Sequence, residues 1–310
     1  MNSKNPSGQP TSPLKVSTIN RAFWIAGAVL LAAVLIATTH LSQNSLEFSR
    51  YNADWNGTSA FFSDLDRHQT VMVTDPAQLS AYRDNALLLV IAPSRPPTEP
   101  EIAAYRAFLG RGNTLFLADD FGSGNSILRG LKSRISILEG NLSSIDQEYA
   151  DPYSVVVYRR TGAGIAGNSA KLVLNRPAAL EGGNPLFTSS IFSWIDKNGD
   201  KRITTGEVLG QFPVMAEETV GRGRLVVFSD PSIFINSMLR YDQPGDNLQF
   251  IQDLTHGNTT LLIDQMNSRT RDAEGLGEIL HVITTTFIIE VLISGILVLV
   301  VAWMWRRKVF

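Results

Sequence analysis

The chain has 310 residues, of which 44% are hydrophobic and 18% are charged, and it contains no cysteine. This composition predicts a folded protein, because disordered chains combine low apolar content with high net charge. The lack of cysteine excludes disulfide scaffolds, thiolate metal sites and cysteine nucleophiles. The formal net charge of −2 argues against a general nucleic-acid-binding protein, which would carry a basic excess.

Two long apolar segments lie near the ends of the chain. Residues 22–39 carry no charge, and residues 282–305 are interrupted only by Glu290. Both segments are long enough to cross a bilayer, which predicts transmembrane helices over 21–40 and 282–305. A cleaved signal peptide is the alternative for the first segment. Glu290 has a structural and a functional interpretation, because ionisable residues within membrane segments often carry function.

Basic residues flank both apolar segments on the side of the chain ends. They are Lys4, Lys15, Arg21, Arg306, Arg307 and Lys308. Since positive flanks stay in the cytoplasm, the sequence predicts a cell-membrane protein with both termini cytoplasmic and residues 41–280 extracytoplasmic. Residues 1–20 read as a disordered cytoplasmic tail, 267–281 as a linker and 306–310 as a second cytoplasmic tail.

The segment 41–280 is acidic. It holds 21 basic and 28 acidic residues, a net charge of −7, because the remaining parts of the chain hold six basic residues and one acid. Such a surface favours cations or basic partners, and ordinary solubilising surface charge is the alternative interpretation.

Five short apolar runs predict buried strands, at 71–74, 87–92, 114–118, 225–229 and 261–263. They are continuous rather than alternating, as expected for strands that are covered on both faces. Helical patterns at 59–67, 98–110 and 246–255 alternate with them, which is typical of a parallel sheet. Between about 135 and 220 short strand-like runs separated by turns predict a β-rich insertion. We therefore predict an α/β domain over 45–266 with a mostly parallel sheet and flanking helices.

Polar residues follow the ends of these predicted strands. Ligands of open α/β sheets bind beyond the carboxyl ends of the strands, so these residues form a candidate ligand rim. Helix and turn capping is the alternative role for each of them. The rim residues are Asp75, Arg95, Asp119, Asp120, Ser123, Asn125, Asp230, Ser232 and Asn236.

The segment 119–125 is the most distinctive rim loop. It lacks the sequence of a phosphate-binding P-loop and the spacing of a nucleophile elbow. The two histidines well inside the predicted domain, His68 and His256, have no recognisable catalytic context. No catalytic residue is therefore predicted.

The segment 196–207 resembles a calcium-binding EF-hand loop. Asp196, Asn198, Asp200 and Glu207 occupy positions 1, 3, 5 and 12, and the carbonyl of Arg202 would serve at position 7. The loop departs from the pattern at position 6, where a lysine replaces glycine. A polar hairpin turn is the alternative, so Ca²⁺ is a candidate cofactor.

Several segments together resemble an uncharacterised membrane-anchored family of archaea and bacteria, a domain of unknown function ("DUF forty-three fifty"). They are 51–52, 56–61, 89–93, 115–124, 223–236 and 246–247. The resemblance implies a sheet like that of class I glutamine amidotransferases or flavodoxin, and an association with MoxR-type ATPases and their membrane partners. Amidotransferase activity itself is excluded, because that reaction needs a cysteine.

These observations favour a non-enzymatic, membrane-anchored extracytoplasmic binding or accessory protein in envelope assembly or transport, with no nucleic-acid partner. The alternative is a metal-assisted hydrolase that uses Asp119, Asp120, Ser123 and Asp230 at the rim. A third interpretation is a domain that only spaces a membrane complex from the cell wall.

Overall fold

The computed structural model describes residues 46–65, 70–146, 149–160, 164–239, 245–256 and 260–271, with a few single positions in the two ends of the chain. The chain divides into two units, one of residues 44–273 and one made of the two ends. The fold described below is that of the first unit.

The first unit is built on one nine-stranded sheet and two small two-stranded sheets. In the large sheet the strand order is β1-β13-β2-β3-β12-β11-β9-β6-β7, and the small sheets pair β5 with β10 and β4 with β8. The strands are β1 Thr70–Val73, β2 Ala86–Ile91, β3 Thr114–Ala118, β4 Ser136–Ile137, β5 Asn141–Ser144, β6 Ser154–Arg159, β7 Lys171–Asn175, β8 Leu180–Glu181, β9 Asn184–Ser189, β10 Ser193–Asp196, β11 Pro213–Val220, β12 Gly223–Phe228 and β13 Thr260–Asp264.

Five strands form a parallel half of the large sheet, in the order β1-β13-β2-β3-β12. All five predicted apolar runs lie in these strands. In β2, Leu87, Leu89 and Ile91 belong to one core cluster, while Leu88 and Val90 belong to the other. The continuous apolar pattern of β13, β2, β3 and β12 follows from this arrangement, because both faces of these strands are buried, whereas the edge strand β1 is only partly covered.

The other half of the sheet is antiparallel and overturns the predicted fold class. β12 pairs antiparallel with β11, and β9, β6 and β7 continue antiparallel to the edge. The predicted mostly parallel sheet is therefore wrong, because the sheet is mixed. The segment predicted as a separate insertion contributes four strands to the main sheet. Ladder hydrogen bonds join each to its neighbours, and on the outer side of the edge strand β7 the side chains of Asn247 and Asp230 accept backbone N–H groups.

Few helices flank the sheet. Those on one face share a core with Leu88, and those on the other share a core with Phe116, Phe228 and residues of the antiparallel half. The helices are α1 Ser59–Leu65, α2 Glu99–Gly110, α3 Gly124–Leu131, α4 Asn236–Leu239 and α5 Asn247–Thr255, with 3₁₀ turns at Pro76–Ala81, Gly164–Ala166 and Pro231–Phe234.

The predicted transmembrane helices over 21–40 and 282–305 fall almost entirely outside the described residues. In the part of the chain that the structure describes, none of the helices combines the length and apolarity needed to span a bilayer. The fold therefore gives no support to the two-helix prediction.

Candidate functional site

The carboxyl ends of the parallel strands lie level with one another. Ile91 of β2 and Phe228 of β12 both pair in register with Ala118 of β3. The next residues continue this alignment, because the Asp119 backbone N–H donates to the Phe228 carbonyl at 3.0 Å. The loops that carry the rim residues after these strands therefore start from one edge of the sheet.

Asp230, directly beyond β12, is fully buried and serves two segments. Its Oδ1 accepts the Ser232 backbone N–H at 2.8 Å and caps the 3₁₀ turn Pro231–Phe234. Its Oδ2 accepts the Asn175 backbone N–H at 2.7 Å, at the end of β7. Burial raises the pKa of this carboxyl to about 7, despite the two hydrogen bonds that favour the ionised form. Asp230 thus joins the parallel half of the sheet to its antiparallel edge.

Asp119, directly beyond β3, is buried, and its carboxylate lies at the N-terminus of α3. Its Oδ2 accepts the Gly124 backbone N–H at 2.6 Å. A Cβ at Gly122 or Gly124 would lie within 2.6 Å of its carboxylate oxygens, so both glycines are required by this close approach. Burial raises the pKa of Asp119 to about 7, and this effect exceeds that of the hydrogen bond. The carboxylate is therefore an internal cap of α3.

Arg95, after β2, is held by a neighbouring carboxylate. Its guanidinium makes two hydrogen bonds to Glu101, at 3.0 and 2.6 Å. Glu101 also accepts the Thr98 backbone N–H at 2.7 Å, which is one half of a capping box at the start of α2. Beside this pair the Tyr105 hydroxyl donates to the buried Asp264, whose pKa is raised by burial to about 6. This part of the edge is a structural network.

Three further rim residues also bind their own scaffold, and a fourth, Ser123, makes no side-chain capping hydrogen bond. Asp75 caps the 3₁₀ turn Pro76–Ala81, and Ser123 is the residue before α3. The Asn125 side chain exchanges two hydrogen bonds with the backbone of Ile137. The Asn236 amide accepts from the Ala60 backbone N–H and donates to the carbonyls of Asn52 and Asp54.

A pocket of about 470 Å³ lies beside this edge and takes in the two remaining rim residues, Asp120 and Ser232. Its size is within the range of about 300–1,000 Å³ that is typical of small-molecule sites. The lining residues are Glu47, Phe48, Trp55, Asp120, Phe121, Asn141, Asp151, Asn175, Arg176, Ser232, Ile235 and Arg269.

Charges of both signs line the pocket. Burial raises the pKa of Asp120, and the positive charge of Arg269 acts in the opposite direction. Arg269 lies 3.6 Å from Glu47, and the Arg50 backbone N–H donates to the Thr270 carbonyl at 3.3 Å. The two ends of the compact unit therefore meet at one wall of the pocket.

Most of the pocket residues are absent from the predicted rim. Glu47 and Trp55 come from the segment before α1, Asn175 and Arg176 from the end of β7, and Arg269 from the segment after β13. The rim was predicted from residues that follow parallel strands, whereas these side chains reach the edge through the antiparallel half and the two ends of the unit. The polar pair Asn175-Arg176 at the end of a strand was the available signal.

The 196–207 loop forms a series of tight turns. Asp196 accepts the backbone N–H groups of Gly199 and Lys201 at 2.7 and 2.8 Å, and it accepts the Tyr153 hydroxyl at 2.8 Å. Lys201, at the position where an EF-hand has glycine, adopts a positive φ of 59°. Its ammonium group turns away to Asp151, 3.0 Å distant. The loop therefore turns at the same position as an EF-hand loop. Because Lys201 is not a glycine, its positive φ strains the backbone there.

The other predicted calcium ligands are occupied by hydrogen bonds within the same loop. Asp200 accepts the Arg202 backbone N–H, and Glu207 accepts those of Lys197 and Thr204. Asn198 donates from its amide to Asp200 at 3.1 Å. Across the described residues, no group of three or more carboxylate or imidazole side chains is arranged to hold a metal ion.

Comparisons with solved structures give distant matches. The "mmIFT52 N-terminal domain" aligns with a TM-score of 0.48 at 16% identity, over 70% of this chain and 98% of that chain. A β-galactosidase from Bacillus circulans sp. alkalophilus aligns with a TM-score of 0.30 at 9% identity, over 73% of this chain and 27% of that one. For a β-galactosidase from the Antarctic haloarchaeon Halorubrum lacusprofundi the TM-score is 0.33 and the identity 14%, over 59% of this chain and 24% of that one. The chain spans about a quarter of the length of these two enzymes.

None of the curated proteins searched matches this sequence. Among protein families, the model of the domain of unknown function DUF4350 matches residues 50–255. This match runs from the segment before α1 to the end of α5 and includes most of the nine-stranded sheet and most of the residues that line the pocket. It confirms the family that the sequence segments indicated, and the chain belongs to the DUF4350 family.

Proposed function

We propose that the unit 44–273 is a non-enzymatic binding domain and that its ligand is a polar molecule held in the pocket beside the sheet edge. One observation carries the proposal: the pocket exposes polar side chains whose hydrogen-bonding groups the fold does not use, although the Arg176 guanidinium lies over the Tyr153 ring, 5.6 Å from its centre. The side-chain amides of Asn141 and Asn175 make no hydrogen bond within the described residues, and no acid among those residues lies within 4 Å of the Arg176 guanidinium. Convergent polar groups in a concave site are the usual mark of ligand binding.

The geometry favours binding over metal-assisted hydrolysis. Hydrolysis would require Asp119, Asp120 and Asp230 to face one open position with a bound metal. Asp119 and Asp230 are instead buried, with their oxygens bonded to backbone N–H groups, and of the three only Asp120 lines the pocket. Carboxylates, amides and guanidinium groups that line one pocket, with no metal-binding cluster among the described residues, suit recognition of a polar ligand.

The cellular setting stays a prediction from the sequence. It comprises anchoring in the cell membrane, an extracytoplasmic position of the domain, and partners in envelope assembly or transport, including a MoxR-type ATPase system. Identification of the proteins that copurify with the intact chain would test the partners. Recovery of no stable partner would favour the interpretation of the domain as a spacer.

The pocket is tested by replacing Asp120 with asparagine in the full-length chain. The variant keeps the shape of the side chain and removes its charge, so the affinity for the pocket ligand should fall about tenfold or more, since hydrogen bonds to charged groups contribute about 1.5–3 kcal/mol. The measurement is calorimetric titration with a panel of neutral oligosaccharides, nucleotides, polyamines and amino acids.

Asp84→Asn is the matched control for this experiment. Asp84 is exposed in the turn before β2, outside the pocket lining. The control should bind every compound as the unmodified chain does. If no compound of the panel binds, or if Asp120→Asn leaves all measured affinities unchanged, the pocket is not the binding site.

Calcium binding by the 196–207 loop also stays a prediction, and Asp200 gives the clearest variant. Asp196 bonds outside the loop to Tyr153, whereas Asp200 contacts only loop residues. With calcium at 100 times its dissociation constant, a bound ion would add about 2.7 kcal/mol to the free energy of unfolding. EDTA should therefore lower the melting temperature of the full-length chain by several degrees, and should not lower that of Asp200→Ala further. Equal melting temperatures of the unmodified chain with EDTA and with calcium would contradict the prediction.

A further inference from the structure

Two large aromatic side chains are exposed at the same pocket. The side chains of Trp55 and Phe121 are 65% and 51% exposed, and both line the pocket, although they lie 66 positions apart in the sequence. Phe48 and Ile235 add apolar surface to the lining from buried positions. A ligand that only made hydrogen bonds would not need these ring surfaces. The pocket is therefore built for a ligand with an apolar face as well as polar groups.

Trp55 is presented by a well-fixed turn. Its backbone carbonyl accepts the Ser237 N–H at 3.1 Å, and the Asn236 amide binds the carbonyls of Asn52 and Asp54 on the same turn. These contacts hold the backbone that carries the indole while leaving its ring exposed. Such preorganisation lowers the entropic cost of binding against the ring.

Several polar groups that line the same pocket are planar and have at least two hydrogen-bonding atoms each. They are the carboxylate of Asp120, the amides of Asn141 and Asn175, and the Arg176 guanidinium, whereas the Asp151 carboxylate is already bound by Lys201. Groups of this kind can bind two neighbouring hydroxyls at once, as donors and as acceptors. The pocket thus combines flat apolar surface with paired hydrogen-bonding groups.

The local charges disfavour an anionic ligand. A phosphate or carboxylate at this edge would be expected at the start of α3, but the Asp119 carboxylate already accepts the Gly124 N–H there at 2.6 Å. The pocket lining holds three carboxylates and two arginines, and Arg269 faces Glu47 at 3.6 Å. The polar part of the ligand is therefore not a phosphate or carboxylate.

We propose that the ligand is a neutral oligosaccharide. A pyranose ring has an apolar face of C–H groups and an edge of hydroxyls, which match the exposed rings and the planar polar groups of this pocket. One sugar would stack on Trp55, a neighbouring sugar or its ring edge would contact Phe121, and the hydroxyls would bond to the amides and to the Asp120 carboxylate. This inference rests on the proposed binding function and specifies its ligand class.

The experiment is titration of the full-length chain with neutral oligosaccharides of gluco-, manno-, xylo- and N-acetylglucosamine type, followed by tryptophan fluorescence and calorimetry. Nucleotides, polyamines and amino acids form the comparison arms. At least one oligosaccharide should bind and change the tryptophan emission, and Trp55→Ala should weaken its binding about tenfold or more, while Phe121→Ala should weaken it severalfold. Phe192→Ala is the matched control, because Phe192 is 49% exposed and lies outside the pocket lining. The affinity of the Phe192→Ala variant for the oligosaccharide should equal that of the unmodified chain.

Two results overturn the oligosaccharide assignment: no oligosaccharide binds at millimolar concentration, or Trp55→Ala and Phe192→Ala bind it equally well. If a compound of another class then binds in a manner that depends on Asp120, the proposed binding function stands and only its ligand class is wrong. If no compound of any class binds, both proposals fail. Circular dichroism of each variant shows whether a loss of binding reflects unfolding, and Trp55→Phe, which keeps a ring, should recover part of the affinity.

Discussion

Replacing Asp230 by alanine is expected to lower the free energy of unfolding by about 3 kcal/mol, because it leaves two backbone N–H groups without an acceptor in a buried position. Those groups belong to Ser232 and to Asn175, at 2.8 and 2.7 Å from the carboxylate. The substitution would also release the end of β7 from the loop after β12. Urea unfolding of the full-length chain, followed by circular dichroism, gives the midpoint and the slope from which the loss is obtained.

Asp75→Ala is a matched control for this prediction. Asp75 precedes a proline and caps the 3₁₀ turn Pro76–Ala81, as Asp230 caps Pro231–Phe234, but Asp75 is exposed. Loss of the exposed cap should cost only about 1 kcal/mol. Equal losses for the two variants would show that Asp230 acts as an ordinary cap and does not join the two halves of the sheet.

Raising the pH from 5 to 8 is expected to lower the free energy of unfolding by about 6 kcal/mol. Burial raises the pKa values of Asp119 and Asp230 to about 7 and that of Asp264 to about 6. In the unfolded chain these carboxyls lose their protons near pH 3.9. Between these pH values the folded form holds more protons than the unfolded form, so the stability falls as the pH rises and becomes level above about pH 8. The measurement is the urea midpoint at each pH.

Asp230→Asn identifies the source of this pH dependence. The variant cannot ionise at this position, so its stability should fall less steeply between pH 5 and 8 than that of the unmodified chain. Asp75→Asn should retain the full slope. The pKa values of Glu101 and Asp151 are lowered, so the stability that these two carboxylates contribute is lost only as the pH falls into the more acidic range, outside pH 5 to 8. A stability that is constant or rises from pH 5 to 8 would contradict the assignment of raised pKa values.

The parallel half of the sheet could be predicted from the sequence because all of its strands except the edge strand β1 are buried on both faces. Each strand appears as an uninterrupted apolar run, such as 87–91. The helices between the strands have their own sequence patterns, such as the capping box in which Glu101 accepts the Thr98 N–H. The antiparallel half gave only short runs such as 171–174. Their pattern shows strands but not their partners, because pairing between β6 and β9 or between β9 and β11 is a property of the whole fold.

The candidate site was only partly predictable for a similar reason. The polar residues after the parallel strands were identified, and the structure shows that Asp119, Asp230 and Arg95 bond to their own scaffold. Capping and ligand binding use the same residue types, so a single sequence does not separate them. The sequence around Trp55 and Arg176 did not identify them as pocket residues. A turn before α1 and the end of β7 come together only in the folded chain, so no local sequence pattern predicts that they meet at one pocket.

The two ends of the compact unit meet at the Glu47–Arg269 wall of the pocket. A pulling force applied between these ends would therefore act on the Glu47–Arg269 contact before it acted on the strands of the sheet. A ligand seated against Trp55 and Asp120 would contact both the entering segment and the central strands, and would resist the separation of the ends. Ligand binding in the pocket and a pulling force on the two ends of the unit would therefore have opposite effects: the ligand would hold the ends together, and the force would separate them.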